Sequence, residues 1–583
     1  MNFDALNELQ VNAIKKEGNV LLVACPGSGK TRVLINKVIF ELEKLGDSKQ
    51  RIIAITFTNR AADEIKKRLA ENFIDDSRIW AGTIHSFCLE WILRPYYCYN
   101  GRLSNGFVVT DEYKSERLLN ILKTENSLPL WTRISTKILK DGTLEEETYP
   151  EIIREYHEIL ETEKMIDFDQ ILYFSYILLK DYPKIKLTLS KIFKYICIDE
   201  YQDIQELQYA ILSEITKVAD SLINYFIVGD RDQAIYGSLG GIAKSFQEIK
   251  TEFGNKELSQ LELIGNYRST QRIIDYYRNF QTQQIEIKSL CSYATENGLI
   301  SFNDTTHKDE LDEYISNIIT ANLNNGIKEK DICVIAPQWW LVIPMGRKLK
   351  RLLPQVSFDA LGLSPLLRNQ ENIWFKLARL FLVAPSPQMH IVRKRWANEY
   401  LYDLESLQID LGILRENKAR NLLRKINSIV SLETNGLDYL EDCFRQLIDF
   451  LNLSLSTNNT LNQHWEYFFE GSRERLERPE FEYSTDISSF KKYFNHGEGI
   501  VVNTCHGIKG EEYTTVISFG LLQGYLPNWN EINPVTAANK LLYVICSRAK
   551  KNLYLISERG RTTGNGNPYL TTELLEQIEY EYD

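Results

Sequence analysis

No C-x-x-C pair occurs in this chain of 583 residues, although it holds nine cysteines. That absence excludes the common zinc and iron–sulfur frames. Cys197, Cys333 and Cys505 sit in or beside apolar runs, where a free thiol acts as a small hydrophobe. An odd count in a long chain fits a reduced, cytoplasmic setting. No apolar run reaches membrane-spanning length, and the stretch from Met1 to Asn7 has no signal-peptide pattern, so no membrane partner is expected. Positive charge is not in excess: 68 basic residues face 79 acidic ones, a formal charge of −11. This excludes a protein that coats nucleic acid by charge alone, yet it leaves room for a local basic groove. Two clusters, Arg347 to Arg351 and Arg393-Lys394-Arg395, are candidates for one, with an ordinary solvated face as the alternative. Internal repeats, low-complexity tracts and long linkers are also missing.

What is present is a set of short β-branched runs separated by helical patterns. The length suggests roughly three to five domains of about 100–200 residues. In the first half the runs lie at 20–25, 52–58, 195–199 and 225–230. In the second half they lie at 332–336, 499–504, 515–519 and 552–556. Strand alternating with helix predicts parallel sheets, with ligands at the carboxyl ends of the strands. Residues 92–164 and 385–490 read as mostly helical insertions.

The first run leads into Ala24-Cys25-Pro26-Gly27-Ser28-Gly29-Lys30-Thr31 and then a helical pattern from Arg32. Strand, glycine-rich loop and helix is the layout that wraps phosphates in backbone N–H groups. Lys30 is placed for the β/γ-phosphates and Thr31 for a Mg²⁺ ion. Ala24 stands where the consensus has its first glycine. The run at 195–199 ends in Asp199-Glu200. A phosphate loop alone says nucleotide; this second element adds hydrolysis, with Asp199 on Mg²⁺ and Glu200 on the attacking water.

Asp199-Glu200-Tyr201-Gln202-Asp203 resembles the DExQD element of superfamily 1A DNA helicases, the UvrD/Rep/PcrA family. Further motifs of that family follow in order. They include Leu6 to Gln10, Thr56 to Ala62, Gly82 to Cys88, Ile166 to Gln170, Val228 to Tyr236, Asn266 to Ser269, Asn503 to Tyr513 and Leu541 to Ala549. The resemblance implies an α/β protein of two RecA-like parallel-sheet domains (1A and 2A), each with a mostly helical insertion (1B and 2B). The implied limits are 1–91 with 165–280 (1A), 92–164 (1B), 281–384 with 491–583 (2A) and 385–490 (2B).

It also implies roles. Gln10 reads adenine; Arg32 and Tyr267 sandwich its ring; Glu512 holds the ribose. Gln233 senses the γ-phosphate, and Arg268 and Arg548 are arginine fingers. On the DNA side the matched residues are Thr56, Phe57, Asn59, His85, Tyr236, Thr504 and His506. The implied activity is an ATP- and Mg²⁺-dependent translocase or helicase on single-stranded DNA, DNA ends or junctions, with 3′→5′ polarity and ATP hydrolysed between the RecA-like domains.

The chain departs from the family where a stacking tryptophan and an arginine usually follow motif III; here Ser238 and Leu239 stand. Glu511 replaces a usual leucine, and Thr514 a common aspartate. These changes thin the DNA grip more than the ATPase. A second reading follows: a DNA-stimulated ATPase that acts as a sensor or regulatory subunit beside an OLD-type nuclease, similar to compact UvrD-like proteins of antiphage systems such as Gabija.

Overall fold

The structure is a computed structural model. It describes residues 3–583 other than 5, 72–73, 75–76, 111, 219–222, 238–239, 361–365, 367–371, 387–388, 478–484, 495–498, 530 and 532. The side chains of residues 59–60, 70–71, 112–113, 391 and 492–493 also lie outside the description. Ser238 and Leu239, the departures noted above, therefore fall outside it. The chain forms two compact units, Met1–Leu299 with Pro527–Lys551 and Gln577–Glu579, and Ile300–Leu526 with Asn552–Glu576 and Tyr580–Asp583.

The first unit is built on a six-stranded sheet. Its spatial order is Ile79–Thr83, Arg51–Thr56, Phe193–Ile198, Asn224–Gly229, Asn19–Ala24 and Leu258–Leu263. The pairs are parallel, with Leu22 level with Val228 on one side and Leu261 on the other. The central strands are almost wholly buried, as parallel strands covered on both faces must be. Leu258–Leu263 is an edge strand and alternates between buried and open positions. Four strands lie where the apolar runs predict them, within a few residues at each end.

Helix α1 (Glu8–Lys15) and helix α2 (Lys30–Leu45) are joined by an unusual buried cation. Lys37 has no exposed surface. Its Nζ donates to the carbonyls of Ile14 (3.0 Å) and Lys16 (2.6 Å) and pairs with Glu41 at 2.8 Å. The Tyr195 ring lies 5.2 Å below it. A buried ammonium survives only when its protons are all taken up, and here they are. Lys37→Met should therefore lower stability by about 3–5 kcal/mol, because one carboxylate and two carbonyls lose their donor. Chemical denaturation of the two proteins checks this.

Within 92–164 the structure holds helices Glu112–Glu125 and Pro150–Thr162. Residues 126–149 carry no helix, which corrects the mostly helical expectation for that stretch. Turn chemistry wins there: Asp141 accepts from Thr143 N at 3.0 Å, and Gly142 takes a φ of 89°.

The second unit has its own sheet, in the order Leu299–Asn303, Ala549–Ile556, Tyr513–Ser518, Ile332–Ala336, Ile500–Thr504 and Phe358–Ala360. Ile332–Ala336 runs parallel to both Ile500–Thr504 and Tyr513–Ser518. Helices from Ile373–Leu382 to Ile487–Phe494 enclose a separate core around Trp374, Phe444 and Phe469. The basic clusters in this unit are partly tied into the fold. Arg393 is buried and its Nη2 donates to Leu380 O and Asn427 Oδ1, each at 2.9 Å. Lys350 donates to the carbonyls of Pro354 and Val356, and Lys348 pairs with Asp312. Lys348, Arg351 and Lys394 stay exposed, so the clusters fit the solvated-face alternative, with Arg393 drawn into the fold. Among the described residues no helix is long and apolar enough to cross a membrane.

Residues 527–551 pack with the first unit, although the motif limits group them with the second sheet. Tyr543, fully buried in helix Pro534–Cys546, sets its ring 5.2 Å from that of Tyr277. Arg548 therefore belongs to the same compact unit as the glycine-rich loop.

Candidate nucleotide site and the adjoining groove

The loop from Ala24 to Thr31 joins the end of strand Asn19–Ala24 to the start of α2. Gly27 and Gly29 have φ of 68° and 80°, which side chains rarely adopt. A Cβ on Gly27 would sit 2.7 Å from Arg268 Cβ, so the position is closed to larger residues twice over. Gly29 caps α2 without a side-chain hydrogen bond, and the helix's first N–H groups have no cap. Ser28 Oγ is buried with no oxygen or nitrogen partner. Such a loop and open helix start fit a phosphate chain. Burial pushes the Cys25 thiol up to about 12, so it is an inert wall of the loop.

Strand Phe193–Ile198 delivers the two carboxylates. Asp199 is buried, and its desolvation together with the neighbouring Glu200 charge raises its pKa to about 7. A buried acid that gives up its proton reluctantly becomes a good ligand once a divalent cation takes the proton's place. Thr31 stands in the first turn of α2. Among the described residues no group of three or more His, Cys, Asp or Glu could hold a metal. Mg²⁺ here would rest on Thr31, Asp199 and the substrate's own phosphate oxygens, its usual manner of binding.

Glu200 takes the left-handed backbone at φ 50°. Its carboxylate faces Lys30 Nζ at 3.4 Å and accepts from Gln202 Nε2 at 2.5 Å. Gln202 Oε1 in turn accepts from Asp230 N at 3.1 Å. Asp230 is buried, which lifts its carboxyl to about 6, with Lys30 opposing the shift. Gln202 and Asp230 belong to this hydrogen-bonded cluster, and the motif reading left them without roles.

Two arginines complete the cluster. Arg548 is 1% exposed. Its Nη2 donates to Gln233 Oε1 at 2.8 Å and its Nε to Val544 O at 3.1 Å. Gln233 Nε2 donates to Asp230 Oδ2 at 2.8 Å, so this one amide ties an arginine to a buried carboxylate. Arg268 Nη1 donates to Ser547 O at 2.8 Å, which brings the two arginine segments together.

Asn266 holds Arg268 in register with the loop. Its Nδ2 donates to Pro26 O at 2.7 Å and Tyr277 Oη at 3.1 Å, while its Oδ1 accepts from the backbone of Arg268 and Ser269. Tyr267 N donates to Gly27 O at 2.9 Å. All four hydrogen bonds of a fully buried amide are thus spent on one junction. Asn266→Ala should cost about 2–4 kcal/mol in stability, since each orphaned buried group costs about 1–3 kcal/mol. It should also lower ATP turnover tenfold or more. Thermal melts and a steady-state ATPase assay check both.

On the base side, Gln10 stands in the first turn of α1, where it completes a capping box with Asn7. Its Oε1 accepts from Asn7 N, and its Nε2 donates to Ser28 O at 2.9 Å. Asn7 Nδ2 reaches Tyr267 Oη at 2.7 Å. Asn7 therefore links Gln10 to Tyr267 beside the loop, and Tyr267 and Arg32, the latter in the first turn of α2, are both exposed.

A groove of about 1040 Å³ adjoins this cluster, lined by Thr56, Phe57, His85, Asp199, Asp203 and Tyr236 together with residues 130–137. Phe57 and Tyr236 stack on each other, centroids 4.8 Å apart and planes 25° apart. They form one platform, not two. Burial keeps His85 at about 4, hence neutral, with Phe168 at its edge. Thr56 is buried and its hydroxyl donates to Thr58 O at 2.9 Å, so it presents no free hydroxyl. The side chain of Asn59 lies outside the described residues. Thr504, His506 and Glu512 belong to the second unit. Thr504 Oγ1 there accepts from Gly507 N at 3.0 Å, and Glu512 is exposed. The unusual Glu511 accepts from the Tyr513 hydroxyl.

Comparison with known proteins agrees with this geometry. The UvrD/REP helicase N-terminal domain matches residues 6–254, and the UvrD-like helicase C-terminal domain matches residues 391–560. The chain belongs to the UvrD/REP helicase family, within superfamily 1A. It is 26% identical over 618 residues to the ATP-dependent DNA helicase Rep of Buchnera aphidicola subsp. Acyrthosiphon pisum, covering 94% of each chain. It is 24% identical over 643 residues to the ATP-dependent DNA helicase PcrA of Leuconostoc citreum, covering 96% of this chain and 84% of that one. The PcrA of Staphylococcus aureus strain Mu50 is 28% identical over 352 residues, 57% of this chain and 47% of that one.

Proposed function

We propose that this protein is an ATP-driven DNA helicase that moves 3′→5′ along single-stranded DNA. Its relatives are ATP-dependent DNA helicases, and its own residues supply the parts for ATP hydrolysis. The observation that carries the reading is the gathering of Lys30, Glu200, Gln233, Arg268 and Arg548 in one compact unit around one loop.

The parts act in a definite order. Nucleotide phosphate draws Lys30 away from Glu200, and the freed carboxylate orients and deprotonates the attacking water. Arg268 and Arg548 neutralise charge that builds on the transferring phosphoryl group. Thr31 and Asp199 would hold Mg²⁺, which when bound would add further charge neutralisation. Gln10, Arg32 and Tyr267 hold the base. Gln233 joins Arg548 to Asp230, so a change at the phosphate reaches the segment that ends in Tyr236, at the groove. Phe57 and Tyr236 give one stacking platform for a base, and His85, being neutral, offers a hydrogen bond and no charge. Thr504, His506, Asn59, Thr56 and Glu512 keep the roles that the family motif implies. The domain limits of the motif reading are retained on the same footing.

Strand displacement on 3′-tailed and 5′-tailed duplexes tests the proposal, with Lys30→Ala as control. Wild type should open the 3′-tailed substrate alone, and the variant neither. Equal opening by both proteins, or a preference for the 5′ tail, contradicts the reading. DNA-stimulated hydrolysis with no displacement would favour the sensor or nuclease-subunit reading, which the serine at position 238 makes the next in line.

A further inference from the structure

Trp131 keeps 83% of its surface exposed, and Leu130 beside it keeps 59%. Exposure of a single apolar side chain means little in itself. The position does carry meaning, because both residues line the groove that also holds Phe57, Tyr236 and His85. The segment is fixed in place. Thr132 N donates to Pro129 O at 2.9 Å, and Lys123 Nζ holds Leu130 O at 3.3 Å. Thr136 Oγ1 donates to Asp169 Oδ2, and Lys140 pairs with Glu206. An indole on so firmly tied a turn is presented at little entropic cost.

The groove's charges are mixed. Lys123, Arg133 and Lys137 share it with Glu145, Glu146 and Asp169, and Lys137 already faces Glu145 at 3.8 Å. A polyanion held here gains less from ion pairs than from flat rings. Phe57 and Tyr236 spend one face each on the other, whereas Trp131 is far more exposed than Phe57 (83% against 39%).

We propose that Trp131 is a base-stacking residue for single-stranded DNA, presented into this groove by the segment 130–137. The inference rests on the single-stranded DNA reading above and adds a contact that the family motifs do not assign.

Fluorescence anisotropy of a fluorescein-labelled oligodeoxythymidylate on the full chain tests it, with wild type, Trp131→Ala and Trp131→Phe. One stacked base corresponds to a change of about 5- to 150-fold in affinity. Trp131→Ala should weaken binding within that range, and Trp131→Phe should recover most of it. Oligonucleotide should quench tryptophan emission in wild type and quench it less in Trp131→Phe, although that variant is bound. The thermal midpoints of all three should agree, since an open side chain is being changed. Equal binding by Trp131→Ala and a tightly binding wild type overturns the inference and leaves the helicase reading intact, as does equal weakening by both variants. A wild type that binds no oligonucleotide and hydrolyses ATP regardless of it overturns both.

Discussion

Arg548→Ala should lower the saturating ATPase rate by about 10³–10⁵-fold, the range of an arginine that neutralises a transferring phosphoryl group. Lysine at the same position should restore little. The guanidinium serves Gln233 and the carbonyl of Val544 at once, through two of its nitrogens. A lysine is a point donor and cannot bridge both. Because Arg548 is 1% exposed, a melting curve belongs beside the kinetics. A folded Arg548→Ala protein that still binds nucleotide but turns it over near the wild-type rate would remove Arg548 from the phosphoryl-transfer role.

Glu200→Gln should lower the same rate by about 10²–10⁴-fold, the usual contribution of a positioned general base. Its effect on binding has the opposite sign. Glu200 faces Lys30 at 3.4 Å, so it competes with phosphate for the ammonium group. Removing the charge frees Lys30, and ATP should bind severalfold more tightly. Equilibrium binding of a fluorescent nucleotide and single-turnover hydrolysis separate the two effects. Weaker binding in Glu200→Gln would show that the carboxylate supports Lys30 instead of opposing it.

Much of this molecule is legible in its sequence, for a physical reason. Parallel strands buried on both faces must be nearly pure apolar runs, and each central run ends in the polar residues that do chemistry. Asn19–Ala24, Phe193–Ile198 and Asn224–Gly229 announce themselves in this way. Strands with one open face do not. Leu258–Leu263 alternates buried and exposed side chains, and Phe358–Ala360 is three residues long. Ile79–Thr83 is an edge strand whose Trp80 ring covers Gly82, so little in its pattern distinguishes it from a loop.

Residues that act through distant partners are hidden for a different reason. Asn266 is 240 residues from the Pro26 carbonyl that it holds, and nothing local requires an amide there. Gln202 sits within a recognisable motif, but its bridge from Glu200 to Asp230 exists only after two strands pair. The stacking of Phe57 on Tyr236 is equally invisible: each ring reads separately as a DNA platform, and folding makes them one. The basic cluster at 393–395 misleads for the converse reason. Helix packing draws Arg393 inward to cap the carbonyl of Leu380. Charge in a sequence does not say which way it faces.

Steady-state ATP hydrolysis by the full chain, measured with and without a single-stranded oligodeoxythymidylate, tests the central claim most directly. The account predicts a rate that rises at least about tenfold with the oligonucleotide, as expected when DNA in the groove helps assemble a preorganised phosphoryl-transfer site. It also predicts that Lys30→Ala abolishes both rates. A turnover that ignores the oligonucleotide, or that survives the loss of Lys30, would contradict it.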